Sequence, residues 1–401
     1  MRPLPQRGAP CMPVIQNRWL VLAVLFFART AMALQFQTVA STAPFLIDAL
    51  AIDFASLGIL IGLYMLPGIV IALPGGMLGQ RFGAKNVVLI GLALMVLGGA
   101  LMGVSRSFAS MTAGRLISGT GAVLFNVMLT KMLADWFAGR EIVTAMGVLV
   151  SSWPFGLALG LVGFGPLALS HGYPVVMHIG ALSSLLALAL VALLYRDPPG
   201  MPVAVAARLS LDLTRREWLT VSIAGIMWGL FNVSYIVLVS FAPELFTQRG
   251  FTLTQAGSIV SLIGWTLIPS VPLWSVLSER SGRPNLIMYG TFVISACALA
   301  ALPLASSSLL PLALMILFIG APPGPMMALP AQVLRAEHRA GGMGVYYSWY
   351  YALMAFLPGG AGLARDLSGS VAAPALFAAA MALLCAPGLM LFHAARRMPE
   401  R

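Results

Sequence analysis

Charge is scarce in this sequence. Lys, Arg, Asp and Glu together make up 9% of 401 residues, against about a quarter in an average soluble domain. Acids are scarcer than bases, twelve Asp and Glu against 23 Lys and Arg. Cysteine is nearly absent: Cys11, Cys297 and Cys385 lie far apart and form no C-x-x-C pair. That excludes a disulfide framework and a cysteine-based zinc site. The four histidines, His171, His178, His338 and His393, are scattered, and there is no H-E-x-x-H and no G-x-S-x-G. A membrane-embedded enzyme would need a nucleophile–base pair or clustered metal ligands, so no enzymatic activity, metal or other cofactor is expected. What is abundant is apolar. The chain is 60% hydrophobic, with 41 Gly and 27 Pro, residue types that membrane helices tolerate better than soluble ones. The composition is that of an all-α polytopic membrane protein with the lipid bilayer as its solvent.

About 20 apolar residues cross a bilayer, and twelve such runs are present: 19–44, 56–78, 86–104, 108–134, 142–169, 174–195, 218–243, 254–278, 286–306, 309–333, 342–364 and 371–394. Residues 1–18 form a Pro-rich basic tail, expected on the cytoplasmic side. The first run is too long for a signal-peptide core and lacks an A-x-A-like end, so it is read as a retained span. With both termini inside, 18 Lys and Arg fall in cytoplasmic segments, three (Arg106, Arg249, Arg365) outside, and two (Arg29, Arg115) within spans. This positive-inside asymmetry makes the net charge of +11 a topology signal and not a nucleic-acid footprint. It places the chain in the inner (cell) membrane with an even number of spans.

The longest loop, 196–217, lies at the middle of the chain. It divides two six-helix bundles, 19–195 and 218–394, with a short cytoplasmic tail at 395–401. An internal repeat supports the division. At an offset of 199, Ser41-Thr42-Ala43-Pro44 aligns with Ser240-Phe241-Ala242-Pro243, Gly58 with Gly257, and GQRFGAKN (79–86) with SERSGRPN (278–285). At 197, Met146-Gly147-Val148 matches Met343-Gly344-Val345.

A parallel 6+6 repeat with a central cytoplasmic loop resembles the major facilitator superfamily. Residues 76–85, GMLGQRFGAK, look like that superfamily's G-x-L-a-D-R-x-G-r-k loop after span 2, with Gln80 where the family has Asp; Glu279 keeps the acid in the second half. Span 4 opens with Arg115-Leu116-Ile117-Ser118-Gly119-Thr120-Gly121-Ala122, similar to the family's R-x-x-q-G-x-g-a, and SSWPFGLALG partly echoes its fifth helix. The resemblance implies a major facilitator fold, alternating access and a monomeric carrier of a small molecule. It also implies conformational roles for Gly76, Arg81, Gly83, Glu279, Arg280 and Gly282. Within the superfamily, Arg29, Pro44, the run Asn126-Val127-Met128-Leu129 and GLARDLSGS resemble the cyanate and nitroimidazole-resistance branch of anion permeases. Thr30 and Thr130 stand where that branch has proline. The glycine-asparagine signatures of nitrate carriers are missing.

Arg29 is the residue that demands explanation. It lies mid-span, about 15 Å from either end of its helix, beyond snorkelling reach. A charge at that depth costs at least about 2.5–3.5 kcal/mol. All twelve acids lie in loops, tails or at span ends, so no carboxylate is available at its level. Either helix carbonyls and polar side chains serve it, or an anion that visits a central cavity does. The planar guanidinium suits carboxylate oxygens, and intramembrane charges are functional by default. Arg29 is therefore expected to bind a small anionic substrate.

Arg115 sits nearer the outer end of span 4, where snorkelling is available. It is assigned to coupling or to helix packing. Asn126, three turns on, is expected to point at the same cavity. In span 7, Trp228, Asn232 and Tyr235 share one face, and Trp228 is the repeat counterpart of Arg29. In span 11, Tyr347 and Tyr350 are the expected inner pair. Tyr64, Trp153 and Trp265 are read as packing residues, and His178 as an interhelical hydrogen-bonder. Coupling to protons or exchange for a counter-anion both remain open. The rival reading is an exporter of hydrophobic or cationic compounds, which would place an acid where this chain places a base.

Overall fold

Proline and glycine decide where the apolar runs bend. In the computed structural model, residues 17–137, 141–198, 213–304, 309–335 and 338–398 are described. The tails, most of the central linker and the acids Asp212, Glu337 and Glu400 lie outside them, as do the side-chain surroundings of Gly76 and Gln80.

The first half comprises α1 (Arg18–Ser41), α2 (Ala43–Leu50), α3 (Phe54–Leu63), α4 (Gly68–Ile71), α5 (Gly75–Phe82), α6 (Ala84–Val104), α7 (Phe108–Phe137), α8 (Ile142–His171) and α9 (Tyr173–Leu194). The second comprises α10 (Arg215–Gln248), α11 (Leu253–Ser281), α12 (Pro284–Leu304), α13 (Leu309–Phe318), α14 (Pro323–Ala328), α15 (Arg339–Ser368) and α16 (Ala373–Arg396), with a 3₁₀ turn at Pro330–Gln332. No strand occurs among the described residues. Eleven segments there are long and apolar enough to cross a membrane. The twelfth, α15, has the length at 30 residues. It is less apolar because tyrosines and charged ends replace aliphatic residues.

Three predicted spans are not single helices. Span 1 bends at Thr42 into α2, whose second residue is Pro44. Span 2 breaks twice, at Pro67 and Pro74, and span 10 breaks at the Pro-Pro-Gly-Pro run 322–325; proline can neither donate to the helix ladder nor fit its preceding turn. The second half's counterpart of Pro44, Pro243, lies inside the continuous α10, so the repeat is asymmetric at its outer end. The motif read as a glycine-punctuated loop is also corrected. Gly76 to Arg81 belong to α5, and Glu279 and Arg280 to the last turn of α11. The chain turns only at Gly83 (φ 80°) and Gly282 (φ 62°). Both positions need the left-handed region that glycine enters without a Cβ penalty, and they are 199 residues apart.

Within the first half α6 packs on α7 and α9, and α1 on α8 and α9; within the second, α10 packs on α15 and α16, and α12 on α16. Two seams join the halves, α3 against α15 and α8 against α11. Since lipid is as apolar as the helix faces, such seams depend on close packing of small residues. A Cβ on Gly62 would lie 2.0 Å from the carbonyl oxygen of Ala355, and one on Gly362 would lie 1.9 Å from that of Phe54. The α3–α15 seam is therefore backbone on backbone.

At its outer end that seam is also polar. Asp366 accepts the amides of Phe54 (3.2 Å) and Ala55 (2.7 Å), the first turn of α3. Arg365 pairs with Glu244 at 2.8 Å and lies 4.8 Å from the Phe54 ring centroid. Inside this rim is a cavity of about 320 Å³ shared by both halves, lined by Ser41, Pro44, Ser240, Pro243 and Glu244 among others. Both copies of the repeated Ser-x-Ala-Pro element thus face one cavity.

Candidate substrate site

The two arginines within the spans have opposite environments. Arg115 is fully buried. Its Nε donates to the Leu60 carbonyl (2.8 Å), and its terminal nitrogens to those of Gln35 (3.0 Å) and Phe36 (2.8 Å). Leu60 can accept because α3 ends at Leu63, where the Tyr64 amide turns back to Gly62. The guanidinium also lies 4.6 Å from the Tyr64 ring centroid and 5.4 Å from that of Phe36. Arg115 does not snorkel to the outer surface. It ties α7 to α1 and α3.

Arg29 has no such clamp. It lies near the middle of α1, eleven residues from Arg18 and twelve from Ser41. Its side chain is enclosed by the bundle yet keeps partial solvent exposure, as expected of a group facing an internal water-accessible space. Among the described residues its one hydrogen bond is a long 3.4 Å contact from a terminal nitrogen to the Leu149 carbonyl of α8. The Nε is buried with no partner. Among the described residues no carboxylate pairs with it. The groups near enough to interact electrostatically are the hydroxyls of Tyr347, Tyr350 and Tyr351, across the interface on α15.

The remaining predicted residues divide. Asn126, partly exposed, reaches across to α15, its amide 3.4 Å from the Tyr351 hydroxyl. Trp228 is partly exposed, with ring centroids 6.4 Å from Tyr350 and 6.1 Å from Phe231. Tyr347 and Tyr350 are partly exposed and sit edge to face at 6.3 Å. Asn232 is partly exposed, but its amide donates to the Trp228 carbonyl of its own helix at 2.7 Å. That bond uses one of its two amide N–H groups and leaves the other and the carbonyl oxygen without a partner among the described residues. Tyr235, one turn beyond Asn232, is 7% exposed, and its buried hydroxyl has no partner among the described residues.

Tyr351, not singled out from the sequence, lies behind Tyr347 and Tyr350, 3% exposed and bonded to Asn126. Its signal was present: with Tyr347 and Tyr350 it makes an i, i+3, i+4 set on one helical face. Tyr64, Trp153 and Trp265 do pack, against Phe36, Phe36 and Phe155. His178 is corrected, since Nδ1 bonds the Pro174 carbonyl of its own helix at 2.7 Å. Arg81 is exposed beside Phe82, and Glu279 and Arg280 are exposed at the end of α11. Lys85, from the same motif, holds the carbonyls of Ala192 (3.1 Å) and Tyr195 (2.7 Å) at the end of α9, where a cation opposes the helix dipole. No cluster of metal-ligating side chains occurs among the described residues.

Known proteins share this architecture. The chain is 25% identical over 398 residues to the transporter YycB of Bacillus subtilis (strain 168), covering 93% of each. It is 25% identical over 292 residues to the 3-(3-hydroxy-phenyl)propionate transporter of Escherichia coli (strain K12), covering 70% of each. A 21% match to the hexuronate transporter of Bacillus subtilis (strain 168) covers 64% of this chain and 61% of that protein. The crystal structure of a D-xylose-proton symporter superposes with a TM-score of 0.75 at 16% identity, covering 95% of this chain and 98% of that one. The sequence profile of the Major Facilitator Superfamily matches residues 25–358 and 229–400. With its paired helical bundles and its matched profile, the chain belongs to the major facilitator superfamily of membrane transporters.

Proposed function

We propose that this transporter carries a small organic, carboxylate-like anion by alternating access, with Arg29 as the residue that binds it. One contrast supports the reading. Of two arginines within the membrane, Arg115 spends its donors on three backbone carbonyls, whereas Arg29 makes one long bond and leaves Nε unbonded. A guanidinium has five N–H donors, and leaving them unmatched at mid-depth is costly. A carboxylate arriving from solution would satisfy two of them bidentately. Two relatives named for carboxylates, the hexuronate and hydroxyphenylpropionate transporters, favour the same class. No acid accompanies Arg29, so the reading as an exporter of cations has no counterpart residue.

In this reading Asn126, Trp228, Asn232, Tyr347 and Tyr350 line the path, with Tyr351 holding Asn126 from behind. The bundles 19–195 and 218–394 rock about the α3–α15 and α8–α11 seams. The chain works as a monomer in the inner membrane with both termini cytoplasmic, as its Lys and Arg distribution directs. Arg29, Pro44 and Asn126 favour a place near the cyanate and nitroimidazole-resistance branch. Transport is linked to protons or to a counter-anion, with no carboxylate relay within the cavity.

The test is Arg29→Gln in detergent-purified protein, with binding of small carboxylates measured by calorimetry. Loss of binding with an unchanged gel-filtration profile is expected; unchanged affinity would overturn the assignment.

A further inference from the structure

If Arg29 fixes the charged end of the substrate, the opposite wall says what its body is. That wall is made of rings. Trp228 stacks near Phe231 and lies 6.4 Å from Tyr350, and Tyr350 touches Tyr347 at 6.3 Å and Tyr351 at 5.0 Å. Trp228, Tyr347 and Tyr350 keep partial exposure, so their faces are available to a ligand.

Polar partners on that wall are few. Asn232 spends one amide N–H on its own helix, and Asn126 spends one on the Tyr351 hydroxyl. The hydroxyls of Tyr235 and Tyr346 are buried away from solvent. What remains for a ligand is one N–H and the carbonyl oxygen of each asparagine, and the hydroxyls of Tyr347 and Tyr350. A sugar acid brings several hydroxyls, each of which loses water on entering and must be matched or pay for desolvation. This wall is mostly ring surface, with its few polar groups at separate points, and suits them poorly. It can match a flat apolar ring, through offset or edge-on contacts between aromatic systems, plus a single polar substituent. The charge balance restricts the ligand further. The other intramembrane cation, Arg115, is locked to carbonyls, so a second negative charge would find no partner.

We infer that the substrate is an aromatic monocarboxylate, its carboxylate on Arg29 and its ring against Trp228 and Tyr350. This rests on the anion reading above and narrows it. It separates this chain from a carrier of polyhydroxylated acids and from one of small inorganic anions, for which an aromatic wall gives nothing.

The experiment is calorimetric binding of 3-phenylpropionate, hexanoate and glucuronate to the full-length purified protein. Four forms are compared: wild type, Trp228→Ala, Trp228→Phe and Arg29→Gln. Wild type is expected to bind 3-phenylpropionate at least tenfold tighter than hexanoate, with glucuronate weaker still. Trp228→Ala should reduce 3-phenylpropionate affinity about tenfold and leave hexanoate within twofold. Trp228→Phe, which keeps a ring, should restore most of the loss and so controls for misfolding. Arg29→Gln should abolish binding of all three.

Glucuronate binding as tight as 3-phenylpropionate would overturn the aromatic inference, as would an equal loss of both monocarboxylates in Trp228→Ala. Either result, with Arg29→Gln still inactive, leaves the anion reading standing. Undiminished 3-phenylpropionate binding in Arg29→Gln would instead remove the anion reading and this inference with it. Absence of binding by all three to wild type overturns the inference.

Discussion

Replacing Arg115 with Met tests whether that arginine is a structural clamp. The change keeps a long apolar stem and removes three charge-assisted bonds of 2.8–3.0 Å. The Leu60 carbonyl then loses its partner, whereas the Gln35 carbonyl keeps the Thr38 hydroxyl at 2.8 Å and both α1 carbonyls stay in the helix ladder; the three lost bonds are worth about 1 kcal/mol each. Contact with Tyr64 is partly kept by the Met stem. The sum is about 3 kcal/mol. On the scaling for a folding unit of roughly 180 residues, each kcal/mol moves the midpoint by about 2–4 °C, so Tm should fall by about 6–12 °C. Arg115→Lys should be no milder, because one ammonium cannot reach three carbonyls spread around a planar fork. The assay is thermal unfolding in detergent at one fixed scan rate, paired with carboxylate binding at a temperature where every variant is folded. Affinity should stay within about threefold of wild type. Midpoints within 1 °C for both variants would refute the clamp. A folded Arg115→Met that no longer binds ligand would move Arg115 into the substrate site.

Three further outcomes follow from the seams and caps. Gly62→Leu cannot fit 2.0 Å from the Ala355 carbonyl oxygen, so the α3–α15 seam should open. In a chain lacking its three native cysteines and carrying Ser240→Cys, an impermeant maleimide added outside should then react several-fold faster; an unchanged rate at normal membrane level counts against a seal at this seam. Asp366→Ala removes both acceptors from the first turn of α3, worth about 1–2 kcal/mol. It should raise the same labelling rate by a smaller factor, with Asp366→Asn between. Glu217→Ala breaks the Thr214 capping box, the 2.9 Å contact to His338 and the 3.2 Å contact to the Arg335 amide. It should lower stability by about 2–3 kcal/mol without altering affinity for carboxylates; a changed affinity at unchanged Tm would argue against a purely structural tie.

Much of this was legible in the chain itself because the bilayer is a severe solvent. Apolar length sets the number of spans, Lys and Arg placement sets the expected orientation, and a charge without a level acid partner singles out Arg29. Residue pattern also marked the repeat, and Gly83 and Gly282 turn the chain at equivalent points. The misses came from side chains whose partners are distant in sequence. Arg115 and Arg29 look alike as isolated basic residues in apolar helices. Only packing gives one of them three carbonyls, including one that the Tyr64 break sets free. Tyr235 shares a helical face with Trp228 and Asn232, yet it is 7% exposed where they stay partly exposed.

The sequence by itself determined the solvent, the helical class, the twofold plan and the position of the unmatched cation, since each follows from local composition and spacing. Tertiary structure decided which helix faces meet. It set Arg29 opposite a wall of tyrosines from the other half, gave Arg115 to the backbone, and joined Asp366 to the start of α3. Those choices turn on contacts between residues up to several hundred positions apart, and local pattern does not encode which distant backbone groups will be left needing a partner.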